Sequence, residues 1–278
     1  SGAQVRAFVR YNSRGDAGLL RTLSPFVLGG IEIIPGDLRD EDALRKAVEG
    51  REIVFHLGAL ISIPYSYLHP AEVAATNIMG TLNMLLACRD LGVARLVHTS
   101  TSEVYGTARV APISEAHPLQ GQSPYSASKI GADKLAESFY CAYDLPVITV
   151  RPFNTYGPAQ SARAVIPTII TQALTREVIH LGNLDSTRDF TYVDDTVDGF
   201  LRAARSTGLG EVFNLGTGQE IRIGDLAQKI IAMVGREVKI ETDQQRLRPE
   251  KSEVMRLISD NSRAREVLGW TPQISLDE

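Results

Sequence analysis

Short runs rich in β-branched residues alternate along the chain with longer stretches in which apolar positions recur every three or four residues. Val5 to Val9, Ile31 to Ile34, Ile53 to Leu57, Arg95 to Thr99 and Val147 to Arg151 have the length and composition of buried strands. Between them the spacing predicts helices over Asp40 to Val48, about Ala71 to Leu91 and about Pro124 to Tyr143. Pro124 falls in the first turn of the last, where a missing N–H costs nothing. Strand and helix in alternation make βαβ units, and therefore a parallel sheet covered on both faces. Right-handed crossovers then lead to a Rossmann-type, doubly wound α/β fold with its ligand site at the carboxyl ends of the strands.

Beyond Phe153 the pattern loosens, and Pro158 and Pro167 punctuate shorter elements. This predicts a dinucleotide-binding domain over residues 1–152 and a smaller α/β substrate-binding domain over residues 153–278. A return segment to the first domain is expected near residues 190–215, around Tyr192 to Arg205. A dinucleotide fold normally opens with a strand and a Gly-rich turn that receives the pyrophosphate at a helix N-terminus. Here Ser1 and Gly2 stand directly before what reads as the second strand. The first strand and its Gly-rich loop are thus expected to be absent from the given chain, a unit of roughly 25 to 30 residues.

Composition narrows the classes. Of the 278 residues, 44% are hydrophobic and 22% charged, and the net charge of -4 gives no footprint for nucleic acid or an anionic membrane. Arg246, Arg248 and Lys251 do cluster, which suits a small anionic ligand. No apolar stretch reaches membrane-spanning length, and no secretory signal opens the chain. Cys88 and Cys141 both stand in helical contexts, so no disulfide framework is expected, and a cytoplasmic location follows. No pair among His56, His98, His117 and His180 has metal-ligand spacing, so no metal is expected. His98, within a strand, and Trp270 read as packing residues.

The sharpest chemical signal is Tyr125-Ser-Ala-Ser-Lys129. Four-residue spacing on a helix puts both side chains on one face. An ammonium near a phenol is expected to lower its pKa and make Tyr125 a usable base. The preceding strand ends in Thr99-Ser100-Thr101-Ser102-Glu103-Val104-Tyr105-Gly106, a polar cluster where this architecture places its chemistry.

Taken with other marks in order along the chain, these segments resemble the extended short-chain dehydrogenase/reductase family, whose members act on nucleotide sugars. The marks are Gly36-Asp37-Leu38-Arg39-Asp40, His56-Leu57-Gly58-Ala59, Thr76-Asn77-Ile78-Met79-Gly80-Thr81 and Arg151-Pro152-Phe153-Asn154-Thr155-Tyr156-Gly157-Pro158. Further on come Arg188-Asp189-Phe190-Thr191-Tyr192-Val193-Asp194-Asp195, Asn214-Leu215-Gly216-Thr217-Gly218 and Leu268-Gly269-Trp270. Thr101-Ser102-Glu103 resembles the 4,6-dehydratase branch, including GDP-mannose 4,6-dehydratase. The stretches around Gln160 to Pro167 and Arg246 to Glu253 look closest to dehydratases of bacterial legionaminic-acid-type pathways.

The resemblance implies a lyase in which Tyr125 takes the C4 hydroxyl proton, Lys129 is its partner, and Thr101 holds the same oxygen. Glu103 would remove the C5 proton as water leaves C6. A UDP-sugar 4-epimerase, a UDP-glucuronate decarboxylase, or a catalytically silent NAD(P)-binding protein of the same fold stays open beside it. Asp37 and Leu38 are implied on the adenine side of the cofactor, with Leu57, Gly58 and Ala59 at its middle, where small residues let backbone approach. Thr99 and Pro152 are implied further along it, beside Tyr125 and Lys129. For the nicotinamide cofactor itself, Arg10 and Arg14 with no carboxylate at the strand end favour NADP over NAD.

Substrate contacts are implied for Ser102, Asn154, Arg188 and Arg248, since arginine's planar fork suits a diphosphate. Arg188 could instead bridge to Asp189 or Asp194. Ala159 departs from the family, where an arginine follows Gly-Pro. The substrate is expected to be a UDP- or GDP-linked hexose, with N-acetylglucosamine among the candidates. Two long helices, Ala71 to Leu91 and Pro124 to Tyr143, match those that pair relatives into a homodimer.

Overall fold

The computed structural model describes residues 2–278. The expected strands form as β1 (Val5–Arg10), β2 (Ile31–Gly36), β3 (Ile53–His56), β4 (Arg95–Thr99) and β5 (Val147–Pro152). β1 and β2 make a parallel pair. A four-stranded parallel sheet runs β10-β5-β4-β3, with β10 at Val212–Leu215. All of it carries the register of a Rossmann-type α/β fold.

Alternation along the strands puts successive side chains on opposite faces. Leu96 and Val147 join Leu44, Leu85 and Phe139 in one core, under the helices Glu41–Val48, Gly80–Asp90 and Pro124–Tyr143. Val97 and Ile148, one residue further on, join Phe200, Phe213, Leu268 and Trp270 in the other. The second core is covered by the helices Val193–Arg205 and Ser262–Leu268. Trp270 is fully buried and its indole N–H donates to the Asp195 carbonyl at 2.8 Å. It pins the last turn of the chain onto the Val193–Arg205 helix.

After β5 the chain builds a second layer from short pieces: β6 (Asn154–Tyr156) beside β9 (Phe190–Tyr192), β7 (Val178–Leu181) beside β12 (Lys239–Thr242), and β8 (Thr187–Arg188) against β11 (Ile221–Arg222). A third core lies between the helices Val165–Thr175 and Ile223–Val234. Between β9 and this layer's remainder, Val193–Arg205 and β10 return to the large sheet.

One expected element differs. The segment read as a single helix over Ala71 to Leu91 is Pro70–Ala74, a π turn at Ala75–Met79, and then Gly80–Asp90. π turns widen a helix and re-aim one side chain. Here Asn77 turns inward: its amide holds the Leu60 N–H and C=O at 2.8 and 2.9 Å and the Ser128 hydroxyl at 3.0 Å. Among the described residues no helix is long and apolar enough to cross a membrane.

Candidate active site

The Pro124–Tyr143 helix starts with Ser123 as N-cap, in a reciprocal capping box with Ser126. Pro124 occupies the first position, so Tyr125 lies in the first turn, and Lys129 and Asp133 follow at four-residue intervals on the buried face. Across from them β4 ends at Thr99, and the chain bends into a 3-10 turn, Ser102–Tyr105. Thr101 caps that turn, its hydroxyl accepting from the Glu103 N–H at 3.2 Å. Gly106, at φ 63, closes it, and a Cβ there would collide with the Gln122 side chain.

The electrostatics depart from the sequence expectation. Burial pushes the Tyr125 phenol up, Glu103 and Asp133 add to the rise, and only the Thr101 hydroxyl offsets part of it. Lys129 does not lower it: its Nζ donates instead to the Thr99 carbonyl at 2.6 Å. Burial brings Lys129 itself down to about 8, against the pull of Asp133. The physical reason is that both groups sit out of water, where desolvation outweighs one pairwise attraction.

Behind this pair lies a polar network that sequence spacing did not reveal. Asp133 accepts from His98 Nε2 at 3.0 Å, from Ser100 Oγ at 2.7 Å and from Arg151 Nη2 at 2.9 Å. Arg151 also donates to the Tyr105 hydroxyl at 2.9 Å, which donates to Asn214 Oδ1 at 2.8 Å. Burial opposes ionisation of Asp133, but His98, Arg151 and Lys129 together hold it down at about 2. His98 stacks on His56, both rings buried and pulled toward the neutral form by desolvation. The visible signal was an acid four residues after Lys129; its partners lie on other elements.

On the open side of Tyr125 two acids face two arginines. Arg248 Nη1 stands 3.8 Å from Glu103 and 4.0 Å from Glu253, and Arg188 Nη2 stands 3.6 Å from Glu253. Arg188 therefore pairs with Glu253 and not with Asp189 or Asp194. Asp189 is occupied by the N–H groups of Thr217, Gly218 and Ser259 at 2.8 to 3.0 Å. Asp194 lines a different cavity, with Tyr156, Ile166 and Lys229. Glu253 is a site residue that sequence reasoning missed. Arg248 Nη1 and Asn154 Oδ1 are buried without a hydrogen-bond partner among the described residues, a condition that costs free energy until a ligand meets them. Ser102 is buried in the turn below. Ala159, at φ 64, adopts a left-handed conformation unusual for a residue with a Cβ.

Five of the expected cofactor residues fall on one edge, whereas Thr99 ends β4, Pro152 ends β5, and Tyr125 and Lys129 stand on the Pro124–Tyr143 helix. Arg10, Asp37, Leu38, Gly58 and Ala59 line a cavity of about 180 Å³ at the carboxyl ends of β1, β2 and β3. Arg39 grips Asp37 through both carboxylate oxygens, at 2.9 and 2.7 Å, and holds it ionised at about 2. Arg10 reaches Glu72 at 3.7 Å. A Cβ at Gly58 would stand 3.0 Å from Leu38 Cδ1, a tight contact that the leucine side chain would have to shift to relieve. Leu57 is exposed beside it. Thr99 Oγ1, near Lys129, is buried with no partner among the described residues, as a hydroxyl waiting for a ligand polar group would be. A cavity of this size, lined by Arg10 and Asp37, and an unpartnered Thr99 hydroxyl fit the residues that would hold a dinucleotide.

The whole chain, residues 1–278, matches the family model described as GDP-mannose 4,6 dehydratase. A UDP-glucose 4-epimerase of Mycolicibacterium smegmatis is 38% identical over 253 residues, covering 89% of this chain and 80% of the relative. Among solved structures, a UDP-glucuronic acid 4-epimerase mutant from Bacillus cereus, in complex with a UDP-sugar analogue and NAD, superposes with a TM-score of 0.89. It is 26% identical, with 99% of this chain and 87% of that one covered. The dTDP-glucose 4,6-dehydratase DesIV of Streptomyces venezuelae, with NAD bound, gives 0.87 at 27% identity, with coverage of 99% and 85%.

Proposed function

This chain belongs to the GDP-mannose 4,6-dehydratase family of extended short-chain dehydrogenases/reductases, and from that premise we propose that it is a nucleotide-sugar 4,6-dehydratase. The family and the relatives together support a dehydratase- or epimerase-type enzyme with a nicotinamide cofactor. What favours dehydration is one observation: Glu103, a largely buried carboxylate, sits on the turn capped by Thr101 and close enough to Tyr125 to act on its charge. Epimerisation at C4 asks for no second acid–base group at C5.

Tyr125 in its ionised form takes the proton from the C4 hydroxyl. Burial opposes that form, and the cationic ring that a bound nicotinamide would bring favours it. Thr101 donates a hydrogen bond to the C4 oxygen. A bound nicotinamide supplies the two-electron acceptor that this oxidation needs and returns the electrons later in the same turnover. With C4 a ketone, the C5 hydrogen is acidic. The Glu103 carboxylate removes it and passes the proton to the C6 hydroxyl, which leaves as water, and C5 is later reprotonated from solvent. Arg188, Arg248 and Asn154 hold the substrate diphosphate, and Ser102 lines the sugar site. Lys129, anchored on the Thr99 carbonyl, has further N–H donors to offer the cofactor. Arg10, Asp37, Leu38, Leu57, Gly58, Ala59, Thr99 and Pro152 border that cofactor. Arg10 at the cavity and Arg14 beyond the end of β1 favour NADP, although Arg10 lies 3.7 Å from Glu72 and Asp37 shares the cavity. Residues 1–152 with the return near 190–215 then serve the dinucleotide, and residues 153–278 the sugar nucleotide. Two copies pair through the Gly80–Asp90 and Pro124–Tyr143 helices, and the free thiols of Cys88 and Cys141 suit the cytoplasm.

The 38% identity to a UDP-glucose 4-epimerase favours a second reading, 4-epimerisation. Incubation with NADP or NAD and a panel of UDP-, GDP- and dTDP-sugars, read by mass spectrometry, separates the two. Dehydration gives a product lighter by one water, and Tyr125→Phe cuts its rate by about 10²–10⁴. An isomer of unchanged mass would move the assignment to the epimerases.

A further inference from the structure

Asp133 takes no part in the steps above, yet it is the most completely partnered side chain near them. It lies one turn after Lys129 on the same face of the Pro124–Tyr143 helix and is 4% exposed. One oxygen accepts from His98 Nε2 at 3.0 Å. The other accepts from Ser100 Oγ at 2.7 Å and from Arg151 Nε and Nη2 at 3.2 and 2.9 Å. His98 and Ser100 flank Thr99, whose carbonyl receives the Lys129 ammonium at 2.6 Å. The carboxylate thus ties down both neighbours of the one oxygen on which the ammonium rests. Extended-chain alternation makes this possible: His98 on β4 and Ser100, the residue just after it, both reach the helix at Asp133.

We propose that Asp133 is a positioning residue for Lys129: it fixes the Thr99 carbonyl against the helix and supplies the buried negative charge that keeps the ammonium protonated. The charges around Lys129 leave that task to no other group. On its own helix stand Tyr125 and Asp133; from β3 comes His56, from β4 His98, from β5 Arg151, and from the turn after β4 Glu103. His56 and His98 are driven toward neutrality by burial, and Arg151 is a cation. Glu103 bears on Tyr125, whereas Asp133 is the group that opposes desolvation at Lys129.

The consequence for turnover rests on the catalytic reading of Tyr125 and Lys129, but the protonation of Lys129 is measured without it. The full chain, labelled with ¹³C at lysine Cε, is titrated by NMR, with Lys129→Met identifying the resonance. The wild-type midpoint is expected near 8. In Asp133→Asn it falls by about one unit or more. The double variant Asp133→Asn with Arg151→Met leaves no orphan guanidinium and still shows the low midpoint, while Asp133→Glu restores most of it. A merely structural role predicts that the double variant titrates like the wild type, and a midpoint within about 0.3 unit of wild type overturns the proposal.

Should neither charge-removing variant fold, Ser100→Ala decides the matter, since it removes one hydrogen bond and keeps the charge. Its Lys129 ¹³Cε resonance and midpoint are expected to move as the hydrogen bond to the Thr99 carbonyl loosens; an unmoved Lys129 resonance overturns the positioning role. If a nucleotide sugar is turned over, the alkaline limb of kcat/KM moves with the Lys129 midpoint. A protein that turned over none of the sugars would overturn the dehydratase reading alone and leave the Lys129 titration standing.

Discussion

The two sides of Tyr125 are built on opposite plans. Beneath it, the Asp133–Arg151–His98–Ser100 network is sealed, with hydrogen bonds of 2.7 to 3.2 Å and both carboxylate oxygens filled. Above it, Glu103, Glu253, Arg188 and Arg248 stand 3.6 to 4.0 Å apart, and Arg248 Nη1 has no hydrogen-bond partner among the described residues. A low-dielectric interior strengthens a satisfied network and penalises an incomplete one. The lower region is therefore complete without ligand. The upper region keeps donors free at long range, and a substrate diphosphate completes it. The difference teaches where each side chain's contribution should register: below in stability, above in affinity.

The largest effect is expected below. Asp133→Asn leaves Arg151 buried without its counter-ion and should cost about 3–5 kcal/mol of unfolding free energy, read by chemical denaturation at neutral pH. Its pH dependence has a definite sign. The folded-state carboxyl lies at about 2, below its ordinary 3.8, so its stabilisation is complete above pH 3.8 and is lost as pH falls toward 2. The gap between wild type and variant should therefore close across that window and stay open at higher pH.

A smaller and differently placed effect is expected above. Arg248→Met removes a half-free guanidinium while keeping its apolar stem. It should weaken UDP or GDP binding by about 1.5–3 kcal/mol, roughly tenfold to a hundredfold, as read by calorimetry. Its unfolding free energy should change by less than about 1 kcal/mol. A large loss of stability in this variant would erase the contrast between the two regions.

The same contrast explains what was legible in the sequence. Tyr125 and Lys129 could be paired because helix spacing alone brings them to one face, and Pro124 marks where that helix begins. The strands β1 to β5 could be read because their apolar runs are short and bounded. Asp133 could be seen but not understood, since His98 and Arg151 reach it only after β4 and β5 align against the helix. Glu253 was missed for a related reason. Its segment is stapled into place by long-range bonds, from the Ala108 N–H to the Arg256 carbonyl at 3.1 Å and between Tyr67 and Ser252 at 2.7 Å. The inward turn of Asn77 was hidden too, because a π turn leaves the helical pattern of apolar residues nearly intact. The pKa of Tyr125 was misjudged in direction because spacing reports proximity and carries no measure of desolvation.

The most direct test of the catalytic assignment is turnover in deuterium oxide with whichever nucleotide sugar the panel identifies. Removal of the C5 proton by Glu103, followed by reprotonation from solvent, predicts a product that has lost one water and carries one deuterium at C5. In Glu103→Gln both changes should be suppressed together. A product of the substrate's own composition, with no deuterium on carbon and formed as fast by Glu103→Gln, would contradict dehydration and make the site an epimerase.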